Sequence, residues 1–320
     1  MALVQTPLTL FAALDSWQWD WSTTIVVTVL GVGYLRGNAN AARAGTAVSS
    51  SRVCSFLGVG LGMWVLATMS FVGVYADTLF WVRALQVVLL LLVVPFGLAL
   101  GKPVTVLREG GSPARRQRVD AVLASKAARV ATHPAATSIA MLATPWLLYL
   151  TPWYRGALEN ESADMLTRLI LVVVGFGYFY SRVQTDPVPH RYSQGLSLLI
   201  TVAETLGDGV LGVVIWLGPA IAADYYSGLG RTWGPSPVTD QTIGAGILWI
   251  LADVLGLPFL FVLMRAFRAD ESRSAAHIDD ELDAEPPNTD AANPVDAQPV
   301  TSALWWENDP QLQERFRRNR

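Results

Sequence analysis

Stretches of mostly apolar residues, long enough to leave water, recur along nearly the whole first 270 positions of this chain. This constrains the fold more than any motif does. A helix needs about 20 such residues to cross the hydrocarbon core of a bilayer, and about seven stretches reach or approach that length. They lie near Thr23–Leu35, Val53–Val74, Leu79–Leu100, Thr137–Tyr154 (which contains Pro145), Met165–Tyr180, Leu196–Ile221 and Thr242–Phe267. Only 15% of the residues are charged, against roughly 25% in soluble domains. Twelve Trp fit a chain with many membrane–water interfaces. The expected fold is an all-α, polytopic membrane bundle over residues 1–268, with the lipid bilayer as its first partner.

Residues 269–320 differ in kind. The run "DDELDAEPPNTDAANPVDAQPVTS" is acidic, Pro-rich and poor in large apolar residues, a composition that cannot build a core. It is expected to be a largely disordered cytoplasmic tail, with a short helix starting at Pro310 behind Asp309. The amino-terminal run lacks the basic stretch of a signal peptide, so no cleavage is expected there.

Basic residues alternate between the links. Arg36, Arg43 and Arg52 follow the first stretch. Lys102, Arg108, Arg115, Arg116, Arg118, Lys126 and Arg129 follow the third, Arg182 and Arg191 the fifth, and Arg265, Arg268 and Arg273 the seventh. The other links are acidic or mixed, with Asp77, then Glu159, Glu161 and Asp164, then Asp224, Arg231 and Asp240. Lys and Arg collect on the cytoplasmic side. The pattern therefore places the amino terminus outside and the carboxyl terminus inside. Arg108–Arg129 reads either as an ordinary basic loop or as a basic helix lying on the inner surface.

Ionisable residues within the apolar stretches need partners, because an isolated charge at membrane depth is costly. Arg83 and Arg168 lie about one turn inside the outer ends of the third and fifth stretches. Glu204 and Asp208 are four apart and share a face of the sixth. Asp253 lies near the middle of the seventh. Two readings are open for this set: an ion, proton or metal site, or a charge-balanced network that fixes helix packing. Asp240 and Gln241 stand where they would cap the outer end of the seventh helix. Gly244 and Gly246 would admit a close neighbour.

The single cysteine, Cys54, excludes an internal disulfide and a CxxC site. No Walker A motif, nucleophile elbow, HExxH or dinucleotide fingerprint stands in a supporting context. No enzyme class is indicated, and nothing points to nucleic acid.

The stretch "ADYYSGLGRTWGPSPVTDQTIGAGILWILAD", with Asp240, Gln241, Gly244, Gly246 and Trp249, resembles the CtaG-like cytochrome c oxidase assembly proteins. Two further runs agree. "DPVPHR", with Asp186, Pro187 and Pro189, is similar to that family's DPxPxR, and "VVPFGLALGKPV" to the end of its third span. The resemblance implies a multi-pass protein of a bacterial plasma membrane, with a role in maturing haem–copper oxidases. It implies copper as the cofactor or cargo, and oxidase subunits or a copper chaperone as partners.

The chain departs from the family where that family carries intramembrane histidines. "RALQV" replaces HMxxH, Arg168 matches another histidine, and "DGVLG" stands at HAxxG. Arginine cannot ligate copper, which leaves Asp208 and Asp240 as the remaining weak candidates for metal. The expectation is that Arg83 and Arg168 pair with Asp208, and with Asp253, in the space of those histidines. The alternative function is an ion- or proton-coupled transporter component.

Overall fold

The computed structural model describes residues 6–184, 186–187, 207, 209–262, 264–265, 268 and 272. Among these the secondary structure is helical, with no strand. The helices are α1 (Leu10–Asp15), α2 (Trp21–Arg43), α3 (Ser50–Tyr75), α4 (Phe80–Glu109), α5 (Pro113–Ala124), α6 (Lys126–Ala131), α7 (Pro134–Leu150), α8 (Trp153–Glu159), α9 (Glu161–Val183), α10 (209–217), α11 (Ala223–Gly228) and α12 (Pro237–Val262). All belong to one unit, Met1–Asp270. The segment expected to be a disordered tail lies outside the described residues apart from Ser272.

Four helices, α3, α4, α9 and α12, are long and apolar enough to cross a membrane. The protein is therefore a helical membrane protein. α2 has the length but is more polar, carrying Arg36, Asn38 and Asn40 in its second half. α7 is apolar but has only 17 residues. It keeps Pro145 inside the helix. Most of the stretch expected at Leu196–Ile221 falls outside the described residues, and α10 is what is described of its helix. The region Arg108–Arg129 is not a plain loop, because α5 and α6 occupy it. Neither buries a residue, and Arg108 is engaged by Asp120 at 2.7 Å and by Glu109 at 3.1 Å.

α4 is the central helix. It lies against α3, α9 and α12. Its contact with α3 is nearly backbone on backbone. A Cβ on Gly97 would stand 2.5 Å from the Gly60 nitrogen. The contact with α9 is as close, since a Cβ on Gly175 would stand 2.1 Å from the Leu91 carbonyl. Small residues at such crossings let membrane helices approach without a hydrophobic driving force.

α3 breaks at Ser70, whose backbone turns to an extended conformation. The break frees two carbonyls, and Gln18 takes both. Its backbone N–H donates to Met69 O at 2.8 Å and its side-chain amide to Thr68 O at 3.1 Å. α4 turns at Gly101 and at Lys102, whose φ of 54° is left-handed, and restarts at Pro103. Around this turn, Tyr34 donates to Gly101 O at 2.6 Å and Arg52 to Leu100 O at 2.8 Å.

Candidate functional site: a buried ion-pair chain and its helix staples

The start of α4, the start of α9, the start of α2 and the turn between α3 and α4 meet at one end of the bundle. Arg83, on α4, is 2% exposed. It donates to Asp164 of α9 and to Gln86 Oε1 at 3.0 Å, and lies 3.8 Å from Asp77. Gln86 passes the connection on to the Ala67 carbonyl of α3 at 2.9 Å. The second oxygen of Asp164 is held by Arg168, one turn further along α9. Arg168 in turn donates to Asp20 at 2.8 Å. Asp20 caps α2, accepting from Ser22 N at 2.9 Å and Thr23 Oγ1 at 2.8 Å. The result is a chain of alternating charge, Asp77–Arg83–Asp164–Arg168–Asp20, that joins three helices.

The two ends of this chain differ electrostatically. Burial pushes Asp77 up to about 6, and the nearby Asp164 carboxylate adds to the rise while Arg83 and Arg168 oppose it. Asp20 is also partly buried, which favours its neutral form. Hydrogen bonds from Ser22 and Thr23 and the charge of Arg168 outweigh this and hold its carboxyl below the usual range. The protonation of Asp77 thus decides whether three carboxylates or two face the two guanidinium groups.

The two arginines are brought together by a residue outside the expected set. Both meet on Asp164, which the sequence pattern places in an acidic link. Glu204 and Asp208 lie outside the described residues. Asp253 does not join: it is half-buried and makes no hydrogen bond or ion pair with a described residue. Two local signals point to the residues that were missed. Asp164 and Arg168 are spaced i, i+4 on one helix face. Asp20 precedes Trp-Ser-Thr, a helix-start pattern.

Beside the chain sits a tyrosine group. The Tyr154 and Tyr226 hydroxyls are 2.7 Å apart. Phe80 packs against Tyr149, Tyr154 and Tyr226. The Tyr149 hydroxyl and the Arg83 Nε are buried without a partner among the described residues, as happens where an ordered water completes a network.

The residues expected to cap α12 staple other helices instead. α12 starts at Pro237 behind Ser236, whose Oγ accepts from Thr239 N at 3.3 Å. Asp240 is 1% exposed and reaches across to α4. One of its oxygens accepts from Trp81 N at 2.9 Å and the other from Arg231 at 3.2 Å. α4 has no capping side chain of its own, so Asp240 supplies one. Gln241 clamps the end of α10, accepting from Ile221 N at 2.7 Å and donating to Ile215 O at 2.8 Å and Pro219 O at 3.1 Å.

Gly244 is a close-approach site, since a Cβ there would lie 2.4 Å from the Phe80 ring. Gly246 is not: a Cβ there would meet nothing within 4 Å. Trp249 lies over α10, where a Cβ on Gly212 would come within 2.7 Å of it.

Asp186 is a second long-range cap. Its carboxylate accepts from Val104 N at 2.8 Å and Thr105 N at 2.7 Å, where α4 restarts after Lys102. Burial raises its affinity for a proton, and the hydrogen bonds from Thr105 and Val104 partly offset this. The Pro187 carbonyl accepts from Tyr180, and Pro189 lies outside the described residues. Asp186 and the turn at Lys102–Thr105 are thus two halves of one joint.

Comparison with known proteins follows this geometry. Residues 32–270 match the cytochrome c oxidase caa3 assembly factor (Caa3_CtaG) family. The chain belongs to that family. The match runs from the middle of α2 through α12 and takes in Asp186, Asp240 and Gln241. An uncharacterized protein of Mycobacterium bovis is 26% identical over 300 residues, which is 87% of this chain and 44% of that protein. One from Mycobacterium leprae is 25% identical over 287 residues, 84% of this chain and 43% of that protein. The chain spans less than half the length of these curated relatives. No solved structure matches.

The described donors do not suit copper. Both oxygens of Asp164 are held by guanidinium groups and both oxygens of Asp240 by hydrogen-bond donors. Among the described residues, no three or more His, Cys, Asp or Glu come together as a metal-binding group. Guanidinium stays protonated and offers no lone pair, and a pair of cations repels a metal ion. Met69 and Met141 are core residues.

Proposed function

We propose that this protein is a multi-pass assembly factor for a cytochrome c oxidase in a bacterial plasma membrane, and that it works by binding oxidase subunits. It is neither an enzyme nor a copper carrier in this reading. The family match over residues 32–270 carries the proposal. The donor chemistry supports the part concerning copper. At the two positions that resemble the family's histidines, arginines hold one carboxylate between them.

The topology that goes with this has seven spans, with the amino terminus outside. α2, α7 and α10 supply the three spans beyond the four that stand out by length and apolarity. Alternation of basic links puts α5 and α6 in the cytoplasm and the ion-pair chain near the outer face. The transporter reading needs an intramembrane carboxylate free to take up an ion or proton, and Asp164 is instead held between two cations.

The test is a deletion strain complemented with wild type or with Asp208→Asn/Asp240→Asn. Wild type should restore assembled oxidase, measured as haem absorbance and oxygen uptake in membranes. Purified wild type should retain no more copper than the double variant. Normal oxidase levels in the deletion strain would refute the assembly role. Stoichiometric copper that disappears in the double variant would refute the metal-free reading.

A further inference from the structure

A groove runs along the flank of the bundle at the end opposite the ion-pair chain. Its walls are Val29, Leu30, Gly33 and Gly37 of α2, Phe56 of α3, and Pro103, Val106 and Leu107 of α4, and Arg115 of α5 also lines it. The lining is apolar apart from this arginine and the Tyr34 hydroxyl, which is spent on Gly101 O. It is open on one side. Gly33 keeps the groove clear, since a Cβ there would meet nothing within 4 Å. Gly37 lies against α4, where a Cβ would stand 2.8 Å from Val106.

Arg115 differs from its neighbours in how it is used. Arg108 is paired with Glu109 and Asp120, and Arg116 with Glu109. Arg115 makes no ion pair among the described residues, although it lies between those two. Arg36, on α2 one turn from Gly33, is likewise exposed and unpaired among them. A long apolar channel with an uncommitted cation at one end matches one kind of molecule. That molecule has a hydrocarbon chain and an anionic head. In a membrane helix bundle, the bilayer supplies it at high concentration.

We propose that this groove is a binding site for an anionic phospholipid, with an acyl chain along Val29–Gly37 and the headgroup phosphate on Arg115. The guanidinium fork suits a phosphate diester through two parallel hydrogen bonds. The proposal is independent of the oxidase reading, because it rests on a different face and on different residues.

The test uses the full-length protein purified in a neutral detergent. Thermal unfolding is followed with added phosphatidylglycerol or with phosphatidylcholine of the same acyl chains. Phosphatidylglycerol should raise the midpoint by about 2–4 °C more than phosphatidylcholine. Arg115→Gln should abolish this difference. Gly33→Leu projects a side chain into the groove from a position where a Cβ meets nothing within 4 Å, and should reduce stabilisation by both lipids. Arg118→Gln, which alters a cation outside the groove lining, should leave the difference intact.

Loss of the difference in Arg118→Gln as large as in Arg115→Gln would mean general attraction to a basic surface, and would overturn the proposal. So would an unchanged response in Gly33→Leu. Equal stabilisation of the wild type by both lipids would refute anionic selection.

Discussion

α4 and α12 look alike as sequences and occupy different places in the fold. Both are apolar and long enough to span a membrane, yet 72% of the most apolar window of α4 is buried and only 17% of that of α12. The difference lies in how each helix is attached. α4 has close-approach contacts on two sides, at Gly97 and opposite Gly175, and carries Arg83 and Gln86 into the polar chain. α12 is attached through its first turns, where Asp240, Gln241, Gly244, Ala245 and Leu248 are buried, and at one later point, Phe259, which packs against Phe96, Tyr178 and Phe179. Beyond them Ile250, Val254, Leu257 and Phe261 are exposed, as befits a lipid-facing helix. Apolarity alone says that a helix belongs in the membrane. Its neighbours are set by the few places where a backbone approaches closely or a polar group needs a partner.

The largest expected effect concerns the carboxylates attached to each helix. Asp164→Ala strips the shared partner from the buried Arg83 and the half-buried Arg168 and should cost about 3–5 kcal/mol, since lone buried charges are expensive. Asp253→Asn removes no partner and should stay within about 0.5 kcal/mol of wild type. Unfolding in mixed micelles titrated with a denaturing detergent measures both. Equal losses would show that α12 is as deeply embedded in polar contacts as α4.

Glycines test packing on a smaller scale. Gly97→Ala forces a methyl group onto the Gly60 backbone and should cost about 1–3 kcal/mol. Gly246→Ala meets open space and should be neutral, or stabilising by up to about 1 kcal/mol from helix propensity. The same detergent titration decides, and a destabilised Gly246→Ala would place a neighbour on that face of α12.

The smallest effect is a pH slope. The folded protein holds the Asp77 proton up to about pH 6, above the value of about 3.9 expected for an unfolded Asp. The native state therefore binds more protons between these values, and stability falls as pH rises through this window. Asp77 contributes most favourably below pH 4, and its ionisation cost is fully felt above pH 6. Asp77→Asn should flatten the slope between pH 4 and pH 6 in thermal melts. An unchanged slope in Asp77→Asn would show that Asp77 is not its source.

Helical class, membrane character and the positions of α3, α4, α9 and α12 follow from the sequence alone, because they depend on local properties. Apolar runs of a given length become membrane helices wherever they pack. The motif Asp-Gln marked 240 and 241 as significant, and the alternating basic links imply an orientation. The partners needed tertiary structure. Arg83 meets Asp164 across 81 positions, Arg168 meets Asp20 across 148, and Asp240 caps α4 by accepting from Trp81 N across 159. The reading that Asp240 caps its own helix was reasonable locally, but Ser236 had already taken that place. Periodicity reveals which face of a helix carries a charge. Only the distance and rotation between two packed helices decide which opposite charge comes within reach, and here backbone contacts at Gly97 and Gly175 set both.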